Sequence, residues 1–300
     1  MATYKAAYVG TGMIGIGLAA NAAVSGFDVT LYDVVPVEKV KENFKKVLDI
    51  LVEAGATTKE VADKAFENAK YSTDLKEAVK GVDYVQECIP ERLQLKQDTY
   101  RAIQEVTGPD TLIFSSTSAM PPSQLSDGAL YPGSIMVGHP YNPSYLLPLI
   151  EICGPQCPQE NIDKARVIYE AMGKVTVVCR KERNGFVVNP VSWAALDAAK
   201  LAVKEGYCSV EDMDKAIIFG PGMRMAVTGQ LLTMSLGVDG GFYKFCEKYG
   251  WPEDPFFQDL GKGVDEELAN RDPAVGNTVE EVTKFRDRCF AQILKLHGKL

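Results

Sequence analysis

The sequence predicts an α/β domain followed by an all-α domain, on three observations. The first 33 residues read as strand, glycine-rich turn, apolar helix and second strand ending in an acid. Short β-type runs then recur up to Cys179, separated by helix-length stretches, the pattern of a parallel sheet with crossover helices. Beyond Cys179 the β-type runs stop: Arg180-Lys181-Glu182-Arg183 forms a charged connector, and mainly helical patterning follows. The boundary is therefore expected near residue 183, with domains at 1–183 and 184–300.

Taken in order, Lys5–Val9 reads as a short buried strand, followed by Gly10-Thr11-Gly12-Met13-Ile14-Gly15 and an apolar helix through Val24. In a Rossmann-like unit the first glycine makes the tight turn, the second admits a pyrophosphate to the backbone, and the third lets helix and strand pack closely. The helix start then faces the phosphates with unpaired N–H groups. Residues 26–33 supply the second strand, whose terminal Asp33 is placed to accept hydrogen bonds from adenosine ribose hydroxyls. Val34-Val35-Pro36 offers no Arg or Lys for a 2′-phosphate, so NAD is expected rather than NADP.

Residues 37–54 put Val40, Phe44, Val47, Leu48 and Leu51 on one face of an amphipathic helix. With a second helix at 58–69 they form a helical excursion between the second and third strands. The third strand is expected at 82–86, the fourth at 111–114, and others at 134–137, 149–152 and 175–178. Further helices are expected at 94–106, 158–172, 187–205, 209–219 and 278–296.

Three hundred residues with 46% hydrophobic and 24% charged content suit about two globular domains. A net charge of −8 argues against a nucleic-acid surface, which needs clustered Lys and Arg. It leaves room for an anionic cofactor held by backbone amides. Residues 6–24 are almost entirely apolar, but four glycines, Asn21 and a single preceding Lys5 fit a signal peptide or membrane span poorly. Seven scattered cysteines, an odd count, fit reduced thiols, so a soluble cytoplasmic protein is expected. Cys153 and Cys157 are the only close pair, with no second cluster to complete a tetrahedral site, so no metal is expected.

The chain holds two histidines, and one of them, His139, precedes Glu151 by twelve residues. A carboxylate within reach of an imidazole fixes its tautomer and favours its protonated form, as a general base near neutral pH requires. Ser115-Ser116-Thr117-Ser118, Gly138-His139-Pro140-Tyr141-Asn142-Pro143, Glu151 and Gly185-Phe186-Val187-Val188-Asn189 occur in that order. These motifs, with Gln86-Glu87-Cys88-Ile89-Pro90-Glu91-Arg92-Leu93-Gln94-Leu95-Lys96, resemble those of the 3-hydroxyacyl-CoA dehydrogenase superfamily. The resemblance covers nearly the whole chain. It implies that His139 takes the proton of a 3-hydroxyl, that Glu151 orients His139, and that Ser118 and Asn189 hydrogen-bond the reacting oxygen or ring. It also implies that Glu91, Lys96 and Asn142 line the nicotinamide ribose. Pro190 departs from the family, which usually carries arginine after this asparagine.

Residues 220–230 look like the branch of gulonate and carnitine dehydrogenases and lens lambda-crystallins, although Gln230 stands where those relatives usually have proline. In that reading Arg224 clamps a substrate carboxylate, which a thioester does not offer. Residues 237–242, Trp251 and Phe256-Phe257 are expected to shape a far wall. On the residues alone other readings stay open. Ser118 fits a turn or cap, Asn189 a helix start, Glu91 and Lys96 a solvated pair, and Arg224 an inter-helix or inter-subunit salt bridge. The implied function is NAD-dependent oxidation of a small free 3-hydroxy acid by a homodimer. A 3-hydroxyacyl-CoA dehydrogenase and a protein that holds NAD without turnover are the alternatives. The apolar stretches 194–196 and 231–234 are candidates for the dimer surface or for intrachain core.

Overall fold

A computed structural model describes residues 4–251 and 255–300. The chain forms two compact units, Met1–Trp193 and Ala194–Leu300.

In the first unit eight strands form one sheet: β1 (Lys5–Val9), β2 (Asp28–Tyr32), β3 (Lys70–Ser72), β4 (Tyr84–Glu87), β5 (Leu112–Ser115), β6 (Ile135–Pro140), β7 (Leu149–Cys153) and β8 (Val175–Cys179), in the order β3-β2-β1-β4-β5-β6-β7-β8. Neighbours run parallel except β6 and β7, which are antiparallel. The helices of this unit are α1 (Met13–Val24), α2 (Val37–Glu53), α3 (Lys59–Asn68), α4 (Leu75–Ala78), α5 (Leu93–Thr107), α6 (Pro122–Leu125) and α7 (Gln159–Ala171).

Strand β1 shows why the sheet is covered on both faces. Ala6 and Tyr8 enter a core with residues of α1, α2, α3 and α7, while Ala7 and Val9 enter a second core with Tyr100 and Ile103 of α5 and Leu125 of α6. Alternate residues point to opposite faces, so a strand covered on both sides must be apolar throughout. Helix α1 is buried along most of its length, which accounts for its uniformly apolar sequence. Helix α2 buries Val40, Phe44, Leu48 and Leu51, as its periodicity predicts. Among the described residues no helix is long and apolar enough to cross a membrane.

The differences from expectation have physical causes. The strand expected third is β4, because Lys70–Ser72 pairs with β2 first. Three partly exposed residues are too few to display an alternation. Helices α4 and α6 are four residues each and show no period. Strand β6 runs to Pro140 rather than 137, so His139 lies in a strand and not in a loop. Cys153 lies directly across from Cys179 in the β7–β8 register, and the Cys157 thiol donates to the Ile135 carbonyl.

Helix α8 (Val188–Lys204) starts in the first unit, and Pro190 sits in its first turn, where a missing N–H costs nothing. The second unit continues with α9 (Val210–Ile217), α10 (Met223–Thr228), α11 (Gln230–Ser235), α12 (Gly241–Lys248), α13 (Pro255–Ala269) and α14 (Val279–Leu296). The Ser209 and Thr278 side chains cap α9 and α14 by accepting the Asp212 and Glu281 amides. Its core is small: Leu232, Phe242, Val264 and Val282. Leu232 and Thr233 are interior, which favours intrachain core over dimer surface for these two residues, whereas Leu196 and Leu201 on α8 are 56% and 54% exposed.

Candidate active site

The turn between β1 and α1 separates the roles of its three glycines. Gly10 has φ +95°, and a Cβ there would lie 2.7 Å from the Cys88 carbonyl, so conformation and space both require glycine. A Cβ on Gly15 would come within 2.0 Å of the Gly10 oxygen, so its absence lets α1 close onto the turn. A Cβ on Gly12 meets nothing within 4 Å. Gly12 instead borders a cavity of about 610 Å³ that also touches Asp33, Cys88 and Glu91. That cavity lies at the carboxyl ends of β1, β2 and β4, where the strand order reverses and open α/β sheets bind nucleotides.

Asp33 is fixed before any ligand arrives. Its Oδ2 accepts from the Thr11 amide at 2.6 Å and the Thr11 hydroxyl at 2.7 Å, and its Oδ1 from the Val34 amide at 2.7 Å. Partial burial opposes the charge, but these hydrogen bonds outweigh it and hold the carboxyl below its usual pKa. The open face at Gly12, the start of α1 and the anchored Asp33 fit a dinucleotide with a free ribose 2′-hydroxyl.

A second cavity of about 380 Å³ collects Ile14, Ser118, His139, Asn142 and Asn189. His139 and Glu151 are direct cross-strand partners in the β6–β7 ladder, which explains how residues twelve apart meet. His139 Nδ1 lies 2.7 Å from Glu151 Oε2, and both side chains are buried. The other carboxylate oxygen accepts the Val187 and Val188 amides at 2.7 and 2.9 Å, at the start of α8, where the helix dipole favours negative charge. With Nδ1–H held by the carboxylate, Nε2 is the nitrogen left for the cavity. The Phe186 ring packs 5.3 Å from the imidazole, from a buried residue with φ +52°.

The remaining expected residues are placed as follows. Thr11 turns to Asp33, and Met13 is exposed beside Asn142, whose amide nitrogen lies 3.4 Å from the Met13 sulfur. The Ser118 amide donates to Glu91 Oε1 at 2.9 Å. Glu91 borders the larger cavity, but Lys96 lies behind the wall at 1% exposure, so the pair is not a solvated one at a helix end. Arg224 is exposed in the second unit, where it lines a cavity of about 80 Å³ with Arg286, Thr228 and Phe290. Aromatic residues between 242 and 257 meet: Trp251 is 5.0 Å from Phe257 and 5.5 Å from Phe245, and Phe242 stacks on Phe245 at 6.2 Å.

Three residues escaped the sequence reading. Phe186 lay inside a recognised motif, and its contact with His139 needed the fold. Glu87 carried a signal, an acid ending the apolar run of a buried strand. Lys174 carried none, yet its ammonium donates to the Ser144 and Leu147 carbonyls at 2.6 and 3.3 Å and pins the loop between β6 and β7. Burial pulls its pKa down to about 8.

Fold and site define a class, the NAD-dependent oxidoreductases. Residues 5–183 match the NAD binding domain of 3-hydroxyacyl-CoA dehydrogenase and residues 185–269 match its C-terminal domain. The chain belongs to the 3-hydroxyacyl-CoA dehydrogenase family, which acts on CH–OH groups with NAD. It is 35% identical to an L-carnitine dehydrogenase/betainyl-CoA thioesterase of Ruegeria pomeroyi; the match covers 97% of this chain and 61% of that protein. It is 30% identical to lambda-crystallin of Oryctolagus cuniculus, covering 97% of this chain and 96% of that one. A solved NAD⁺-dependent dismutase, 5-formyl-3-hydroxy-2-methylpyridine 4-carboxylic acid 5-dehydrogenase, superposes with a TM-score of 0.71 at 26% identity over 100% of both chains.

Proposed function

We propose that this protein oxidises the 3-hydroxyl of a small free hydroxy acid, of the L-gulonate or L-carnitine type, to the 3-oxo acid. The observation that carries the reading is the buried His139–Glu151 pair, whose free imidazole nitrogen borders the same cavity as Ser118 and Asn189. Held by the glycine turn and Asp33, NAD would supply the acceptor for the hydride leaving the carbinol carbon. His139 Nε2 removes the hydroxyl proton as that hydride departs, and Glu151 stabilises the imidazolium that forms. Ser118 and Asn189 hydrogen-bond the reacting oxygen and keep its carbon in line. Gly10 to Gly15, Asp33, Glu91 and Asn142 form the cofactor side.

The free-acid assignment is supported by the similarity to a protein named for L-carnitine, itself a free 3-hydroxy acid, and to a dehydrogenase of a pyridine carboxylic acid. In this reading Arg224 binds the substrate carboxylate. The proposed domains are a cofactor domain at 1–183 and a helical substrate and dimerisation domain at 184–300, and the proposed setting is a cytoplasmic homodimer. A (S)-3-hydroxyacyl-CoA substrate is the second reading, favoured by the family match.

The test follows NADH absorbance with NAD and L-gulonate, L-carnitine, free 3-hydroxybutyrate and 3-hydroxybutyryl-CoA. Turnover of a free acid, with KM raised about a hundredfold in Arg224→Ala, is the expected result for a lost charge-assisted pair. Turnover of the thioester alone overturns the free-acid assignment. Silence across the panel with intact NADH binding favours a non-catalytic NAD-binding protein.

A further inference from the structure

Glu87 closes β4 with its carboxylate fully buried at 0% exposure. Four donors converge on it. Lys96 Nζ at 2.6 Å and the Ile89 amide at 2.8 Å reach Oε1, while the Ser115 hydroxyl at 2.7 Å and the Tyr100 hydroxyl reach Oε2. Replacing a buried ion pair by apolar side chains is often neutral or stabilising, so stability alone does not explain this one. Its surroundings point elsewhere. Lys96 Nζ also donates to the Ile89 carbonyl at 3.2 Å and lies 3.7 Å from Glu91 Oε2. The other oxygen of Glu91 holds the Ser118 amide at 2.9 Å. A continuous set of contacts, Glu87 to Lys96 to Glu91 to Ser118, thus runs from the sheet interior to a residue bordering the cofactor cavity and on to one bordering the His139 cavity.

We infer that Glu87 is a positioning residue for cofactor binding. It seats the Lys96 ammonium behind the cavity wall, and that charge sets the carboxylate of Glu91 and the 88–91 wall segment at the ribose. Lys96, which the family resemblance implies lines the nicotinamide ribose, is held by Glu87 at 2.6 Å and faces Glu91 at 3.7 Å. The inference rests on the larger cavity being the cofactor site, and not on the identity of the hydroxy acid.

The experiment is NADH titration by fluorescence, with melting temperature measured alongside, on Glu87→Gln, the double variant Glu87→Gln/Lys96→Met, and Glu91→Gln. Glu87→Gln should weaken NADH binding about tenfold or more, because the wall that meets the cofactor is disturbed. The double variant removes both buried charges. It should recover most of any lost melting temperature yet still bind NADH about tenfold more weakly, because Glu91 has lost its anchor. Glu91→Gln, at a half-exposed position, should reproduce the weaker binding without thermal loss. Recovery of NADH affinity together with stability in the double variant would make the pair structural only and overturn the proposal, as would wild-type NADH binding by Glu91→Gln. No hydroxy acid enters these titrations, so failure of the substrate reading leaves the outcome interpretable.

Discussion

At the scale of single residues, the glycine turn makes opposite predictions for neighbours three apart. Gly12→Ala adds a methyl that touches no protein atom, so melting temperature should stay within about 3 °C, since surface changes shift stability by about 0.5 kcal/mol or less. The same methyl stands where a pyrophosphate would approach, so NADH affinity should fall by tenfold or more in a fluorescence titration. Gly15→Ala drives a methyl into the Gly10 carbonyl and should cost the fold itself, seen as a lower melting temperature. For the base, His139→Ala should reduce kcat about 10³-fold while leaving NADH binding within twofold, the mark of a residue that acts on the transition state. A comparable loss of NADH binding would reassign His139 to the cofactor site. The residue reading was legible where a chemical type is rare or confined, as with two histidines and one glycine run. It failed at Phe186 and Lys174, whose roles are contacts between strands and loops and leave no mark on local sequence.

At the scale of elements, the loop joining β6 and β7 is held by a buried ammonium with carbonyl partners. Lys174 has a folded pKa of about 8, below the ordinary lysine value of about 10.4. Between those values the unfolded chain binds more protons than the folded one, so this group's contribution to stability rises with pH across that window and is flat below it. Comparing wild type with Lys174→Met by urea unfolding at pH 7 and pH 9.5 isolates the effect from other titrating groups. Wild type should gain on the order of 1 kcal/mol relative to the variant at the higher pH; a pH-independent difference would refute the depressed pKa. Elements of seventeen residues such as α2 were readable from periodicity, whereas β3, α4 and α6, of three or four residues, are too short to show one and exist because neighbouring strands and helices complete them.

At the scale of the whole molecule, the core of the second unit has four buried hydrophobic side chains among the described residues, while Leu196 and Leu201 stand more than half exposed on α8. For the proposed homodimer, light scattering should give a mass near twice 32.8 kDa. Leu196→Glu/Leu201→Glu should shift it toward the monomer without changing NADH affinity, because a buried apolar surface does not tolerate unpaired charge. Persistence of the dimer in that variant would move the interface elsewhere. The division into an α/β unit and a helical unit was visible in the sequence because the texture changes after Cys179. The helices α10 to α12 were not, because residues 220–250 break into short pieces around Gly220, Pro221, Gly229 and Gly240.

The antiparallel register of β6 and β7 has an evolutionary consequence. His139 and Glu151 are paired by position on a hydrogen-bonded ladder, so the proton-transfer pair depends on Ile150 remaining opposite Pro140. Substitutions in the 141–148 loop that keep Asn142 and the backbone carbonyls held by Lys174 can reshape one wall of the cavity while that pair is inherited unchanged. A slip of one rung in either strand does the reverse: it turns that strand's member of the pair to the other face and abolishes the chemistry with little change in composition.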